Sequence, residues 1–186
     1  YWAPTIKLLM KEAPALDFIS INAFGGLWQV SASLHREVPE YDRPYLLTEW
    51  GFPGPWEVSG TGWQAPIEPA LDQKGAKLRS NWQDFIIPDS ARCLGSYVFY
   101  WGNKQEGTAT WYSFFTEQEE KTALVDVMNE LWGGAPTPNH APLAGALQTD
   151  APYGNYLQAG KTYTAIVPAS DPDGDPLYYR WEIIPE

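Results

Sequence analysis

The chain has 186 residues, 44% of them hydrophobic and 19% charged, a composition that belongs to folded domains rather than disordered segments. Its net charge of −11 and pI near 4.5 argue against nucleic-acid phosphates and anionic membranes as partners and suit a neutral ligand. Cys93 is the only cysteine, which excludes an intrachain disulfide but not export, and no apolar stretch approaches the roughly 18 residues needed to span a bilayer.

In chain order, PTIKLLMKEAP (4–14) has helical spacing at Ile6, Leu9 and Met10, with Pro4 in the permitted first turn. LDFISINAF (16–24) reads as a buried strand ending at Gly25–Gly26, and a short helix is expected from Val30 to Arg36. YLLTEW (45–50) is the second strand, followed by a long loop rich in proline and glycine that carries Trp56 and Trp63. Long loops inside compact domains are usually functional or disordered. Residues 71–87 return to helix, with Leu71, Leu78, Trp82, Phe85 and Ile86 on one face. LGSYVFYWG (94–102) is the third strand, and KTALVDVMNELW (121–132) is an amphipathic helix stopped by Gly133. The expected order is α-β-α-β-α-β-α, which indicates a parallel sheet covered by helices, with active groups at the carboxyl ends of the strands.

From Gly134 the character changes. APTPNHA reads as a Pro-rich linker (135–141), and the remainder alternates as antiparallel β structure around DPDGDP, with Leu177, Tyr179, Trp181 and Ile183 facing a core. A sandwich needs roughly 100 residues, so residues 142–186 are expected to be the first part of such a module.

Glu49 carries the chemistry. Glutamate is a poor strand former and is seldom buried without a partner, so one that closes an apolar strand and opens into a Gly/Pro/Trp loop suggests a working acid or nucleophile; the bland reading is a solvated strand end. Trp101, at the end of the third strand, suits a stacking platform, and Trp56 and Trp63 are further candidates for ligand contact. Trp82 and Trp132 fall on apolar helix faces and are expected in the core. Asn22 either bonds a ligand hydroxyl or satisfies backbone. Glu57 and Glu106 are secondary carboxylates in polar loops. Asn129–Glu130 falls on the polar face of the last helix and is read as structural. His35 and His140 lack Cys or His partners at ligand spacing, so no metal or other cofactor is implied. Asp171, Asp173 and Asp175 have alternate spacing but no distal glutamate, which favours a turn of solvated acids over a calcium loop. Cys93 reads as a small buried apolar group.

DFISINAF, RPYLLTEWG and LGSYVFYWG, in that order, resemble strands six, seven and eight of the (β/α)8-barrel glycoside hydrolases of clan A, the glucanase-like and β-galactosidase/β-glucuronidase-like members above all. The tail NHAP…DPDGDPLYYRW resembles Ig-like or cadherin-like modules appended to secreted polysaccharidases. The resemblance implies an α/β fold that is the C-terminal part of a TIM barrel (1–134) followed by part of an Ig-like β-sandwich. It implies a retaining hydrolase, secreted, periplasmic or at the cell surface, cleaving β-glycosidic bonds in a polysaccharide such as a β-glucan. Glu49, in a T-E-W-G context, matches the nucleophile, and Trp101 matches the floor of the sugar subsite. Two departures stand out. Phe24 occupies the position where the family often has a tyrosine touching the nucleophile, and the acid/base glutamate of strand four has no counterpart. The first strand is then expected to leave an open edge, the 186 residues alone to be inactive, and the partners to be the saccharide and the missing N-terminal part of the same barrel. The alternative is a non-catalytic carbohydrate-binding or adhesion module, in which the tryptophans bind glycan.

Overall fold

The computed structural model describes residues 2–152 and 156–183. Two compact units can be distinguished, one formed by 1–53 and 77–99, the other by 54–76 and 100–186.

The first unit is built on a parallel sheet of β1 (Ile19–Ala23), β2 (Tyr45–Trp50) and β3 (Cys93–Val98), in the order β1-β2-β3. Helix α1 (Ala3–Glu12) precedes β1, with a proline in its first turn, and α2 (Trp28–Ala32), extended by a π-helical turn at Ser33–Glu37, links β1 to β2. α3 (Leu71–Asn81) leads into a second π-helical turn at Trp82–Ile86 and a 3-10 turn at Ile87–Asp89 before β3. The element order up to the last helix is the one the periodicity predicts. β3 ends at Val98, so Trp101 lies three residues past the strand rather than at its end.

One face of the sheet is closed. Ile19, Ile21, Ala23, Tyr45, Leu47, Trp50 and Val98 are buried, together with Ile6, Leu27, Val30, Leu34, Leu78 and Ile86 from the helices. Each fully buried side chain of this size contributes about 1.5–3 kcal/mol. The opposite face carries Ser20, Asn22 and Thr48, all exposed, and Tyr97. Parallel sheets are ordinarily covered on both faces. Here three strands leave one face bare, and β1 is paired on one side only among the described residues.

At the amino ends of β2 and β3 the polar side chains form one network, although Arg92 Nε is buried without a hydrogen-bond partner among the described residues. The Tyr45 hydroxyl donates to Asp89 Oδ2 at 2.7 Å, His35 Nε2 lies 3.2 Å from Asp89 Oδ1, and Arg92 faces His35 Nδ1 at 3.3 Å while donating to the Tyr41 carbonyl at 2.6 Å. Because guanidinium only donates, Nδ1 accepts and Nε2–H donates to Asp89. Cys93 is buried, and burial raises its thiol pKa, in keeping with a small apolar group.

In the second unit, α4 (Ala123–Leu131) is capped by Thr122, whose hydroxyl accepts from the Leu124 amide, and is stopped by Gly133 at φ +73°. Leu124 and Met128 are buried, as are Trp111, Tyr112 and Phe114. Lys74 is buried in a charge-assisted cluster: it donates to Glu68 Oε1 and the Thr110 carbonyl, and Glu68 Oε2 accepts from the hydroxyls of Thr108 and Thr110. Burial lowers the Lys74 pKa and the Glu68 charge opposes that shift, as expected for an ammonium tolerated inside only because it is paired. Asn129 donates to the Ala135 carbonyl at 2.8 Å and closes the turn after α4, a structural role. Trp132, expected in the core, is 46% exposed: it follows the last helical residue, and the chain turns away at Gly133.

The C-terminal segment forms two short antiparallel pairs, β4 (Leu143–Ala144) with β7 (Ala169–Ser170) and β5 (Gln148–Thr149) with β6 (Ala165–Ile166). The expected strand over 177–183 does not form. Trp181 is 57% exposed, and Tyr179 and Ile183 are exposed with it, because alternation yields a strand only where a second sheet receives it. Asp171 Oδ1 accepts from the amides of Asp173 and Asp175, and Asp173 bonds the His140 amide at 2.6 Å, which holds its carboxyl below the usual range. Among the described residues no helix is long and apolar enough to cross a membrane.

Burial and the Asp89 bond hold the Tyr45 phenol above its ordinary pKa of 10.0. Above about pH 10 the unfolded chain therefore loses a proton that the folded chain keeps, so stability falls as pH rises. Tyr45→Phe is expected to cost about 1 kcal/mol at neutral pH. The advantage of the unsubstituted chain over the variant then shrinks above pH 10 by up to about 1.4 kcal/mol per pH unit. Urea unfolding of both proteins across pH 8–11 measures this.

Candidate functional site

Strict alternation along β2 would put residues 45, 47 and 49 on one face. The register forbids it. From Leu47 to Trp50, β2 advances three residues while β1 advances two, Ile21 to Ala23, and β3 also advances two, Ser96 to Val98. β2 thus carries one extra residue at Thr48–Glu49 relative to both neighbours. Such a bulge re-aims side chains, and bulges are over-represented next to active sites. Here the buried series runs Tyr45, Leu47, Trp50, Phe52, and Glu49 is released from it.

Glu49 pairs in register with Asn22. The Thr48 hydroxyl donates to Asn22 Oδ1 at 2.7 Å, which fixes the orientation of the Asn22 carboxamide. Asn22 thus satisfies a neighbouring side chain rather than backbone. The Glu49 carboxylate is half-buried and takes no hydrogen bond or ion pair among the described residues. Behind it, Trp50 is 0% exposed and its ring centroid lies 6.1 Å from that of Trp82. Asn81, fully buried, donates to the Gly51 carbonyl at 2.7 Å, and the Phe99 amide donates to the Trp50 carbonyl at 2.8 Å. Phe24 packs edge-on against Phe99, centroids 5.4 Å apart, and lies 3.7 Å from where a Cβ on Gly51 would project. Phe24 thus makes apolar contacts at the carboxyl end of the sheet.

Asn22, Phe24 and Glu49 therefore belong to one compact unit, and Trp56, Trp63 and Trp101 to the other. Trp56 is exposed, and its ring lies so close to Gly54 that a Cβ there would clash at 2.7 Å. Trp63 stands 5.7 Å from Tyr156, centroid to centroid. Trp101 is 46% exposed inside a cluster with Phe114, Phe115 and Trp132 at 5.4, 5.6 and 5.2 Å. Glu57 is occupied by the Gly54 amide at 2.9 Å, and Glu106 is ion-paired with Lys104.

Thr48, Asn81 and Tyr97 were not picked out by sequence reasoning. Tyr97, exposed on β3, lies between the register partners of Leu47 and Trp50 and so faces the Thr48–Glu49 segment. The signal for Thr48 was a phase slip, from apolar positions 45 and 47 to 50 and 52. Asn81 had no signal, since its partner is a backbone carbonyl 30 residues away.

No family profile matches the chain, and no curated protein matches it either. Among solved structures it is similar to a β-glucuronidase from an uncultured Clostridium species, with 12% identity and a TM-score of 0.43, over 63% of this chain and 23% of that one. It is likewise similar to the β-D-glucuronidase of Dictyoglomus thermophilum, with 14% identity and a TM-score of 0.43, over 66% of this chain and 23% of that one. The chain thus spans less than a quarter of the length of these two glycoside hydrolases.

Asn81→Ala removes the donor to Gly51 and leaves a buried carbonyl unsatisfied. The expected loss is about 1–3 kcal/mol, read as a lower denaturant midpoint at unchanged slope.

Proposed function

We propose that these residues are the C-terminal part of a secreted retaining glycoside hydrolase that cleaves β-glycosidic bonds in a polysaccharide such as a β-glucan, with Glu49 as nucleophile. The observation that carries the reading is the extra residue in β2, which frees a carboxylate from the core at the carboxyl end of the central strand of a parallel sheet. In this reading β1, β2 and β3 are strands six to eight of a TIM barrel, whose remaining strands cover the bare face and pair with the open edge of β1. Residues 135–141 are a linker, and 142–186 begin an Ig-like module.

A retaining mechanism needs a second carboxyl group roughly 5–5.5 Å from the first. Glu49 attacks the anomeric carbon and forms a glycosyl ester, while the second group gives a proton to the departing oxygen. That group, now a base, takes a proton from the water that hydrolyses the ester. Asp89 cannot serve, because it bonds Tyr45 at the far end of β2, four residues or about 13 Å along the strand from Glu49. Glu57 and Glu106 hold a turn amide and a lysine. The acid/base is accordingly assigned outside these 186 residues, which alone hydrolyse nothing. In the first unit the Asn22 amide would serve as a donor for a sugar hydroxyl and Phe24 as an apolar contact; in the second, Trp56, Trp63 and Trp101 are proposed by themselves as saccharide-stacking rings.

The partial exposure of Trp56, Trp63 and Trp101 also favours a second reading, a non-catalytic carbohydrate-binding module. Mechanism-based fluorosugars applied to the polypeptide that contains these residues separate the two. A glycosyl label on the peptide carrying Glu49, lost together with activity in Glu49→Gln, is the expected result. Intact glycan binding without a label from any of a panel of 2-fluoroglycosides would transfer the assignment to the binding module.

A further inference from the structure

Away from Glu49, the helical layer of the first unit holds an open cleft of about 600 Å³ lined by Trp28, Ser31, His35, Arg36, Asp84 and Phe85. One wall is α2 with its π-helical extension, the other the π-helical turn that succeeds α3. The two π turns account for His35, Arg36, Asp84 and Phe85. Each π turn inserts one residue and so rotates the downstream side chains by about 100° relative to a continuous α-helix. π turns recur at functional sites.

The chemistry of the lining selects a ligand class. Trp28 is 53% exposed and offers an apolar face. Arg36 and Asp84, one cation and one anion, are exposed and make no hydrogen bond or ion pair among the described residues; Ser31 adds a hydroxyl. A lining that balances charge, combines donors with acceptors and adds one aromatic face is complementary to a neutral pyranose. Sugar hydroxyls both donate and accept, and the axial C–H groups stack on a ring. A second cleft, in the other unit, lacks this balance: Glu117 and Glu119 line it without a cation, and its Asn103 amide is already bonded to Ser113 and Phe115.

We propose that the Trp28 cleft is a secondary binding site for a neutral oligosaccharide, separate from the Glu49 end of the sheet. The choice of a sugar over another polyol rests on the glycoside hydrolase reading. The cleft would hold a polymer against the helical layer while another segment is processed.

The test is oxidative footprinting of tryptophan on the polypeptide that contains these residues, carrying Glu49→Gln so that nothing is turned over. The probes are cellohexaose, laminarihexaose, xylohexaose and mannohexaose, with trigalacturonate as the acidic control. At least one neutral hexaose is expected to slow oxidation of Trp28 about fivefold, and Arg36→Ala/Asp84→Ala is expected to cut that protection to about twofold or less, a loss of about 1 kcal/mol or more. Oxidation of Trp28 at the same rate with every sugar overturns the site, and protection by trigalacturonate alone overturns the neutral ligand. Hydrolysis by Glu49→Gln at the unsubstituted rate would instead sink the nucleophile assignment, so the two failures are distinguishable.

Discussion

The extra residue between Leu47 and Trp50 is the constraint on which the rest of the first unit depends. Without it, the alternation that buries Tyr45 and Leu47 would also bury Glu49, at a desolvation cost of several kcal/mol for an unpaired carboxylate, and would expose Trp50. With it, the indole enters the core against Trp82 and the carboxylate leaves. The shift is opposed by the ladder, which loses regular pairing where β2 bulges. Three interactions hold the distorted strand: Thr48 to Asn22 on the open face, Asn81 to the Gly51 carbonyl on the helix side, and the Phe99 amide to the Trp50 carbonyl. A loop geometry far from any helix cap is thus enforced from both faces of the sheet.

The second unit uses a different balance. Its core of Trp111, Tyr112, Phe114, Leu124 and Met128 sits alongside a buried Lys74 that donates to Glu68 and the Thr110 carbonyl. Replacing such a pair by apolar residues is often neutral or stabilising, so the pair is better understood as fixing which segments meet. Glu68 joins the segment before α3 to the Thr108–Thr110 turn. A hydrophobic contact would permit sliding there; a carboxylate shared by one ammonium and two hydroxyls does not.

The order of helices and strands was legible because it rests on local periodicity, and the parallel sheet followed from the alternation of the two. Properties that depend on what lies opposite were not. Trp132 and Trp101 read as a core residue and a strand terminus, yet they meet each other, both half-exposed, past the ends of their elements. The alternation of Leu177, Tyr179, Trp181 and Ile183 is a strand pattern whose receiving sheet is not among the described residues. Glu49 was legible as a candidate because a carboxylate ending an apolar strand is anomalous by itself. The bulge that aims it was written only as a slip of phase between Leu47 and Trp50.

The two ends of β2 show why geometry, and not the mere presence of acids, separates structural from chemical carboxylates. At the amino end, Asp89 has both oxygens committed, one to Tyr45 and one to His35, and the bonded tyrosine is itself buried. A carboxylate in that state has exchanged its hydration for fixed donors, and to attack an electrophile it would first have to break them. At the carboxyl end, Glu49 stands on the same strand with its lone pairs uncommitted among the described residues, beside an Asn22 amide already oriented by Thr48. A nucleophile requires free lone pairs and rigid surroundings together. The buried Trp50, next in the chain after Glu49, supplies the second while the bulge preserves the first, so under the proposed nucleophile role stability and reactivity would fall to adjacent residues of one strand.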